Sequence, residues 1–305
     1  MKLNHLLSLI ILTYVSCKQK VEPPTEAFNQ TWYAGKAELS SFTLEQARYG
    51  EIRKGEAVLI FVTEDFSSKK LVKLDEPDKA SNKVRVLKMN MTKKFVTGVY
   101  PYSMMLSVFT PLSKKGEEKT LKVDCSSQEW CGHTFSQLQL KESSYKFQLH
   151  SYFEKEVENN NKLNAGLLED ELWNRIRLSP STLPQGKVSL LPGLLWQRLS
   201  HVQLKPEEAV LTLSKADTFF TKDSGVQMYT VHYPAAQRTL QIYFESVLPY
   251  EIVGWQENYP DGFGNNKKML TTKAIRKKKI WLEYWKHNGL ADSSYSDTLQ
   301  LMRYE

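Results

Sequence analysis

Residues 51–66 read Glu-Ile-Arg-Lys-Gly-Glu-Ala-Val-Leu-Ile-Phe-Val-Thr-Glu-Asp-Phe, and this stretch decides the fold class. A two-residue hydrophobic period runs into a solid apolar block at Val58–Val62. That is the pattern of a strand that is half-buried at its ends and covered in the middle. Working outward, similar β-rich stretches cover 36–48, 83–91, 94–109, 119–125, 129–140 and 144–154. After Pro206 they resume at 208–214, 226–233, 237–247, 250–257, 268–276 and 279–287. Turn signals separate them, among them Tyr49–Gly50, Pro77, Gly116, Asp223–Ser224–Gly225 and Pro260–Asp261–Gly262.

The middle of the chain changes period. Leu163, Leu167, Leu168, Leu172 and Ile176 recur at helical spacing and predict a helix that Pro180 and Pro184 close. A second helix is expected from Pro192 to about His201, with Leu194, Leu195, Leu199 and Val202 on one side. Asn159–Asn160–Asn161 reads as an exposed loop. The whole is mostly β: about thirteen antiparallel strands forming a curved sheet or half-barrel, with a short two-helix insert at about 163–202 laid against the concave face. Two separate β domains are the alternative arrangement.

The N-terminus speaks to location. Lys2 precedes ten uncharged residues, Leu6 to Val15, and the run stops at Ser16–Cys17. It is too short to span a bilayer, which takes about 20 residues, and it reads as a secretory signal over residues 1–16. A small residue before the cysteine fits the lipoprotein version, with Cys17 carrying lipid such as palmitate as a membrane anchor. Tyr14 departs from the usual small aliphatic pattern, and an ordinary cleaved signal is the alternative. Lys18–Gln19–Lys20 places no aspartate at the second mature position, which favours the outer membrane, facing the periplasm. Residues 17–30, with Pro23–Pro24, form a tether, and the β-rich envelope domain fills 31–305.

Hydrophobic content of 41% and charged content of 25% describe an ordinary folded chain. The formal charge of +7 admits anionic partners, although export argues against nucleic acid. With Cys17 lipidated, Cys125 and Cys131 remain. They form a disulfide if they lie on opposite arms of a tight hairpin, and free thiols if they lie along one strand.

Chemistry-bearing patterns are sparse. Trp130–Cys131–Gly132–His133 begins like a thioredoxin-type site, but Thr134 stands where the resolving cysteine belongs. Cys131 and His133 lie two apart, on one face of a strand, which makes them weak catalytic candidates as a thiolate–imidazole pair. His133, His150, His201, His232 and His287 are too scattered for a metal motif, and phosphate-binding glycine patterns are missing, so no cofactor is expected. Lys267 to Lys286 holds eight Lys/Arg against Glu283. Lys277–Lys278–Lys279 reads as a hairpin turn. With Trp281 and Trp285, these lysines make a possible membrane-surface contact. Finally, 13 Phe, 15 Tyr and 7 Trp fall largely in strands, so the sheet either encloses a ligand cavity or packs a filled core.

Three strings, Trp32–Tyr33–Ala34–Gly35, Tyr49–Gly50–Glu51 through Gly55–Glu56–Ala57, and Gln128–Glu129–Trp130–Cys131–Gly132–His133, carry a resemblance. Together with the signal, they resemble a group of Gram-negative envelope lipoproteins labelled "septum formation inhibitor Maf". These are distinct from the cytoplasmic Maf nucleotide pyrophosphatases, whose Ser-x-x-Arg segment and βα alternation this chain lacks. The architecture is also similar to periplasmic lipoprotein-carrier and lipoprotein-receptor proteins. The resemblance implies an envelope lipoprotein, and the expected function is non-catalytic binding of an apolar or acyl ligand, or of an envelope protein. An enzyme using Cys131 and His133, or a structural tether linked to cell division, are the competing readings.

Overall fold

The structure, a computed structural model, describes residues 26–112, 119–156, 159–164, 166–216 and 225–302. The signal segment, Cys17 and the tether through Thr25 lie outside the described residues. Residues 26–30, expected in the tether, begin helix α1 (Glu26–Trp32), whose Phe28 and Trp32 are buried in the main core.

The first half is a meander: β1 (Ala37–Arg48), β2 (Glu51–Ser67), β3 (Lys83–Thr97), β4 (Tyr100–Pro111), β5 (Lys122–Glu129), β6 (Gly132–Lys141), β7 (Ser144–Ser151) and β8 (Asn159–Asn164). A two-residue β9 (Leu167–Leu168) leads into α2 (Glu169–Leu178). Then come β10 (Gly186–Leu191), α3 (Leu194–Ser200), β11 (Glu207–Lys215), β12 (Val226–Tyr233), β13 (Arg238–Glu245), β14 (Ile252–Asp261), β15 (Lys268–Leu282) and α4 (Ser294–Thr298). All fifteen strands of the described residues form one sheet in the order β8 to β1, then β15 to β9. The pairing of β1 with β15 joins the two halves at the centre, which excludes two separate β domains.

The outer edges of this sheet are β8 and β9, yet Asn164 and Leu167 are only three residues apart. Three residues reach about 11 Å at most. The sheet therefore curls almost fully round without closing. It is mostly antiparallel, with a single parallel contact between β9 and β10 among the described residues.

Several boundaries differ from the sequence reading. The turn expected near residue 92 falls at Gly98, which takes φ +69°, so 83–91 and 94–109 become β3 and β4. The Lys277–Lys279 turn is instead the interior of β15, because its backbone pairs with β1 while Lys277 and Lys279 meet Glu56 and Glu251. Asn159–Asn161 pairs with β7 as part of β8. The expected helix at 163–176 starts only at Glu169, since Leu163 and Leu167 are in strands. Among the described residues there are four α-helices: α2 and α3 lie within the curl, while α4 packs outside.

Side-chain alternation explains the decisive stretch. Ala57, Leu59 and Phe61 of β2 point into the curl and join the main core. Ile60 and Val62 point outward and are covered by Leu299 and Leu301 of the C-terminal segment. Both faces are covered, so the run is apolar throughout. On β1 the inward set is Glu38, Ser40, Phe42, Leu44, Gln46 and Arg48.

Within the curl, α2 touches strands of both halves. Asn174 Nδ2 donates to the Leu87 carbonyl at 3.0 Å and to Thr110 Oγ1 at 2.9 Å. Trp173 meets Trp255 edge to face at 5.4 Å. Arg177, fully buried, forks onto both carboxylate oxygens of Glu38 at 2.6 Å each and donates to the Pro249 carbonyl at 2.8 Å. At the other end of α2, Arg238 forks onto Glu169 at 2.5 and 2.6 Å and also bonds Glu257. Tyr233 Oη donates to Glu169 at 2.7 Å. The acids of α2 lie in its first turn and its arginines in the last, which suits the helix dipole.

Asp170 accepts the Leu194 N–H at 3.0 Å, tying α2 to the start of α3. Burial, reinforced by neighbouring Glu169, pushes its carboxyl up to about 7. The unfolded chain therefore releases this proton first as pH rises, while the folded protein still holds it. Stability attributable to Asp170 falls as pH climbs from its ordinary value of 3.8 through about 7.

Two outcomes are expected. Glu38→Gln leaves a buried guanidinium without its counter-ion and should lower the unfolding free energy in urea by about 3–5 kcal/mol; a change under about 1 kcal/mol would show that the pair does not anchor the helix. Asp170→Asn should flatten the stability profile across that pH window, and an unchanged slope would remove Asp170 as its source.

Candidate ligand-binding cleft

An antiparallel meander places alternate connections at the same end of a sheet. Here that end carries the β1–β2 turn at Tyr49–Gly50, the segment after β7, the C-terminus of α3 and the β14–β15 loop at Gly262–Lys267. These four surround a cleft of about 530 Å³, lined by Arg48, Tyr49, Phe153, Leu199, His201 and Phe263 among others. Small-molecule sites run roughly 300–1,000 Å³. A second space of about 510 Å³ adjoins it across Ser200, Pro260 and Lys267, and is lined by Trp196, Val202, Ala236 and Tyr259. By contrast, the space between α2, the start of α3 and the strands facing them is about 30 Å³, far below the size of a small-molecule site. Of the two arrangements open to the aromatic strands, a ligand cavity or a filled core, the core packed around α2 is the one found.

Two aromatic jaws frame the mouth. Tyr49 stacks on Phe263 with ring centroids 5.2 Å apart, and Phe263 is 69% exposed. Opposite them, Phe153 meets His201 edge to face at 5.6 Å and lies 4.8 Å below the Arg198 guanidinium. His201 caps α3 in the left-handed conformation, φ 53°, a state uncommon for residues other than glycine and one that histidine, asparagine and aspartate enter more often than the rest. That bend turns its ring back to Glu156, with Nδ1 2.5 Å from Oε1.

Charge in the cleft is unevenly answered. Burial pushes the Glu156 carboxyl up, but hydrogen bonds from His201 and Ser151 and the charge of Arg198 outweigh it and hold the group below its ordinary value. Asp261 accepts the Gly50 N–H at 2.6 Å. Arg48, 3% exposed, donates to the Leu199 carbonyl at 2.5 Å and to the Tyr102 and Tyr49 hydroxyls at 3.0 and 3.1 Å. Burial opposes its charge, yet the two tyrosines more than compensate and keep it protonated. Burial in turn raises the Tyr49 phenol, which stays neutral.

The residues singled out in the sequence fall elsewhere. Cys125, in β5, is buried opposite Ser136, while Cys131 is exposed in the β5–β6 turn. They lie along one arm, six steps or about 20 Å apart, and both are free. Cys131 and His133 are both exposed at this turn. Glu129 Oε2 accepts the Cys131 N–H at 2.6 Å, and hydrogen bonding and charge from Glu129 raise the thiol, the reverse of what a nucleophile needs. Gly132 between them is required: at φ +153°, a Cβ would lie 2.7 Å from the Tyr152 ring. Of the basic patch, Lys277 bonds Glu56 at 2.8 Å, Lys279 bonds Glu251, and Trp281 packs on Trp32 at 5.8 Å. Lys278 and Trp285 remain exposed. No group of three or more His, Cys, Asp or Glu suited to a metal occurs among the described residues.

No protein-family model matches this chain. No curated protein matches it either. Among solved structures it is similar to Aeromonas veronii immune modulator A at 8% identity, over 85% of this chain and 97% of that one. The TM-score of 0.16 is too low for that likeness to bear on fold or function.

Thiol chemistry offers a direct check. Glu129→Gln should speed maleimide labelling of Cys131 at neutral pH, because more of the thiol ionises. Cys125 should stay unlabelled until the protein unfolds. Equal rates in both proteins would remove Glu129 as the controlling group.

Proposed function

We propose that this protein is a lipid-anchored, non-catalytic component of the cell envelope that binds a small apolar or acyl ligand in the cleft at the open end of its sheet. The observation that carries the reading is the cleft of about 530 Å³, with aromatic jaws at Tyr49, Phe263 and Phe153. Apolar walls with a few fixed polar groups are the usual composition of such sites. The N-terminal pattern of Leu6 to Ser16 before Cys17 supports export and lipid attachment, with the outer membrane as the destination. A thiol-dependent enzyme finds no support at Cys131, whose neighbour Glu129 works against the thiolate. The anchor in this reading is the lipid on Cys17.

Mass spectrometry of the membrane-extracted full chain tests both parts. The expected result is a polypeptide beginning at an acylated Cys17, with a small amphiphile released on denaturation. An unmodified Cys17 overturns the anchor, and a chain that releases no small molecule and takes up none on incubation with a medium-chain alcohol overturns the binding role.

A further inference from the structure

Arg48 is a buried cation facing the cleft, and among the described residues no carboxylate lies within ion-pair distance of it. Its partners are a carbonyl, two hydroxyls and, at 3.5 Å, the His201 ring. Its Nε–H is buried with no acceptor. Of the other charges lining the cleft, Glu154 and Lys267 are exposed to solvent, and the more buried ones are engaged. Arg198 pairs with Glu156 at 3.5 Å, Glu156 also takes His201 and Ser151, and Asp261 is held by the Gly50 N–H. A buried guanidinium without a counter-ion is costly, and an anion entering from solvent would relieve that cost.

We propose that the cleft recognises an acyl chain bearing an anionic head, with the head met by Arg48 and the chain lying between the aromatic jaws and on toward Trp196. This rests on the binding role proposed above and adds the class of ligand. A planar, always-charged fork suits a carboxylate better than it suits a hydroxyl. The length of the site argues for a chain: the second space continues from the first across Ser200, Pro260 and Lys267, and its walls include Trp196, Val202, Ala236 and Tyr259. A compact anion would leave those walls unused.

Calorimetric titration of the full chain with octanoate, 1-octanol and inorganic phosphate separates the parts. The expected result is that octanoate binds at least about tenfold tighter than 1-octanol, the weight of one charge-assisted hydrogen bond. Arg48→Gln should erase that preference while 1-octanol binding persists. Because Arg48 is buried, the wild-type preference stands as a test on its own if that variant fails to fold. Phe263→Ala, at an exposed position, should weaken both amphiphiles. Equal affinity for octanoate and 1-octanol in the wild type overturns the anionic head and leaves the cleft reading intact. Inorganic phosphate binding as tightly as octanoate overturns the acyl chain. Failure of all three probes to bind overturns this inference together with the binding role.

Discussion

A short polar helix sits inside a sheet of fifteen strands, and the buried forks at its two ends make that possible. Arg177 grips Glu38 on β1, and Glu169 is gripped by Arg238 on β13, so α2 is fixed to both halves of the sheet at once. Such pairs contribute little net stability compared with apolar packing, but breaking one is severe. Their value here is register. A helix with Glu169, Asp170, Glu171, Asn174 and Arg177 all buried can sit in one orientation, where each side chain finds a partner for at least one of its polar atoms. The curl of the sheet follows, because β8 reaches β9 in three residues and α2 must then enter the concavity directly.

Filling the interior moves the question of function to the mouth. Curved sheets of this kind hold ligands when the concave side is left open, and here Trp173, Leu172 and Ile176 of α2 occupy it. What remains is the end where the β1–β2 turn, the segment after β7 and the β14–β15 loop meet the C-terminus of α3. The same residues that end the elements shape the cleft: Tyr49 makes the β1–β2 turn, His201 ends α3, and Phe263 stands in the β14–β15 loop. Arg48 links this end to the interior, being the last inward residue of β1 and the first charged one at the mouth.

Much of the architecture was legible in the sequence, and the misreadings share a cause. The two-residue period in 51–66, the turns at Tyr49–Gly50 and Pro260–Gly262, and the helix before Pro180 all report local backbone preference, which composition displays. Lys277–Lys279 looked like a turn because three lysines together suggest solvent, whereas Glu56 and Glu251 approach them from strands distant in sequence. The asparagine run joined a sheet edge for a similar reason: its partner, β7, supplies the ladder. Trp130 to His133 drew notice for its letters, yet it is a solvent-facing turn. Arg48 did not, although one signal was present. It stands in phase with Phe42 and Leu44, so an inward charge at the end of an apolar strand face already marked a place where the fold reserves a cation.

The central claim is that ligand meets the mouth and leaves the α2-filled interior undisturbed. Nuclear magnetic resonance of the full chain, with its tryptophan indole signals assigned, tests this directly during octanoate addition. Trp196, which lines the adjoining space, should shift with saturation, and Trp173 and Trp255 should not move. Shifts at Trp173 and Trp255 with Trp196 silent would contradict the account, since the ligand would then be inside the sheet.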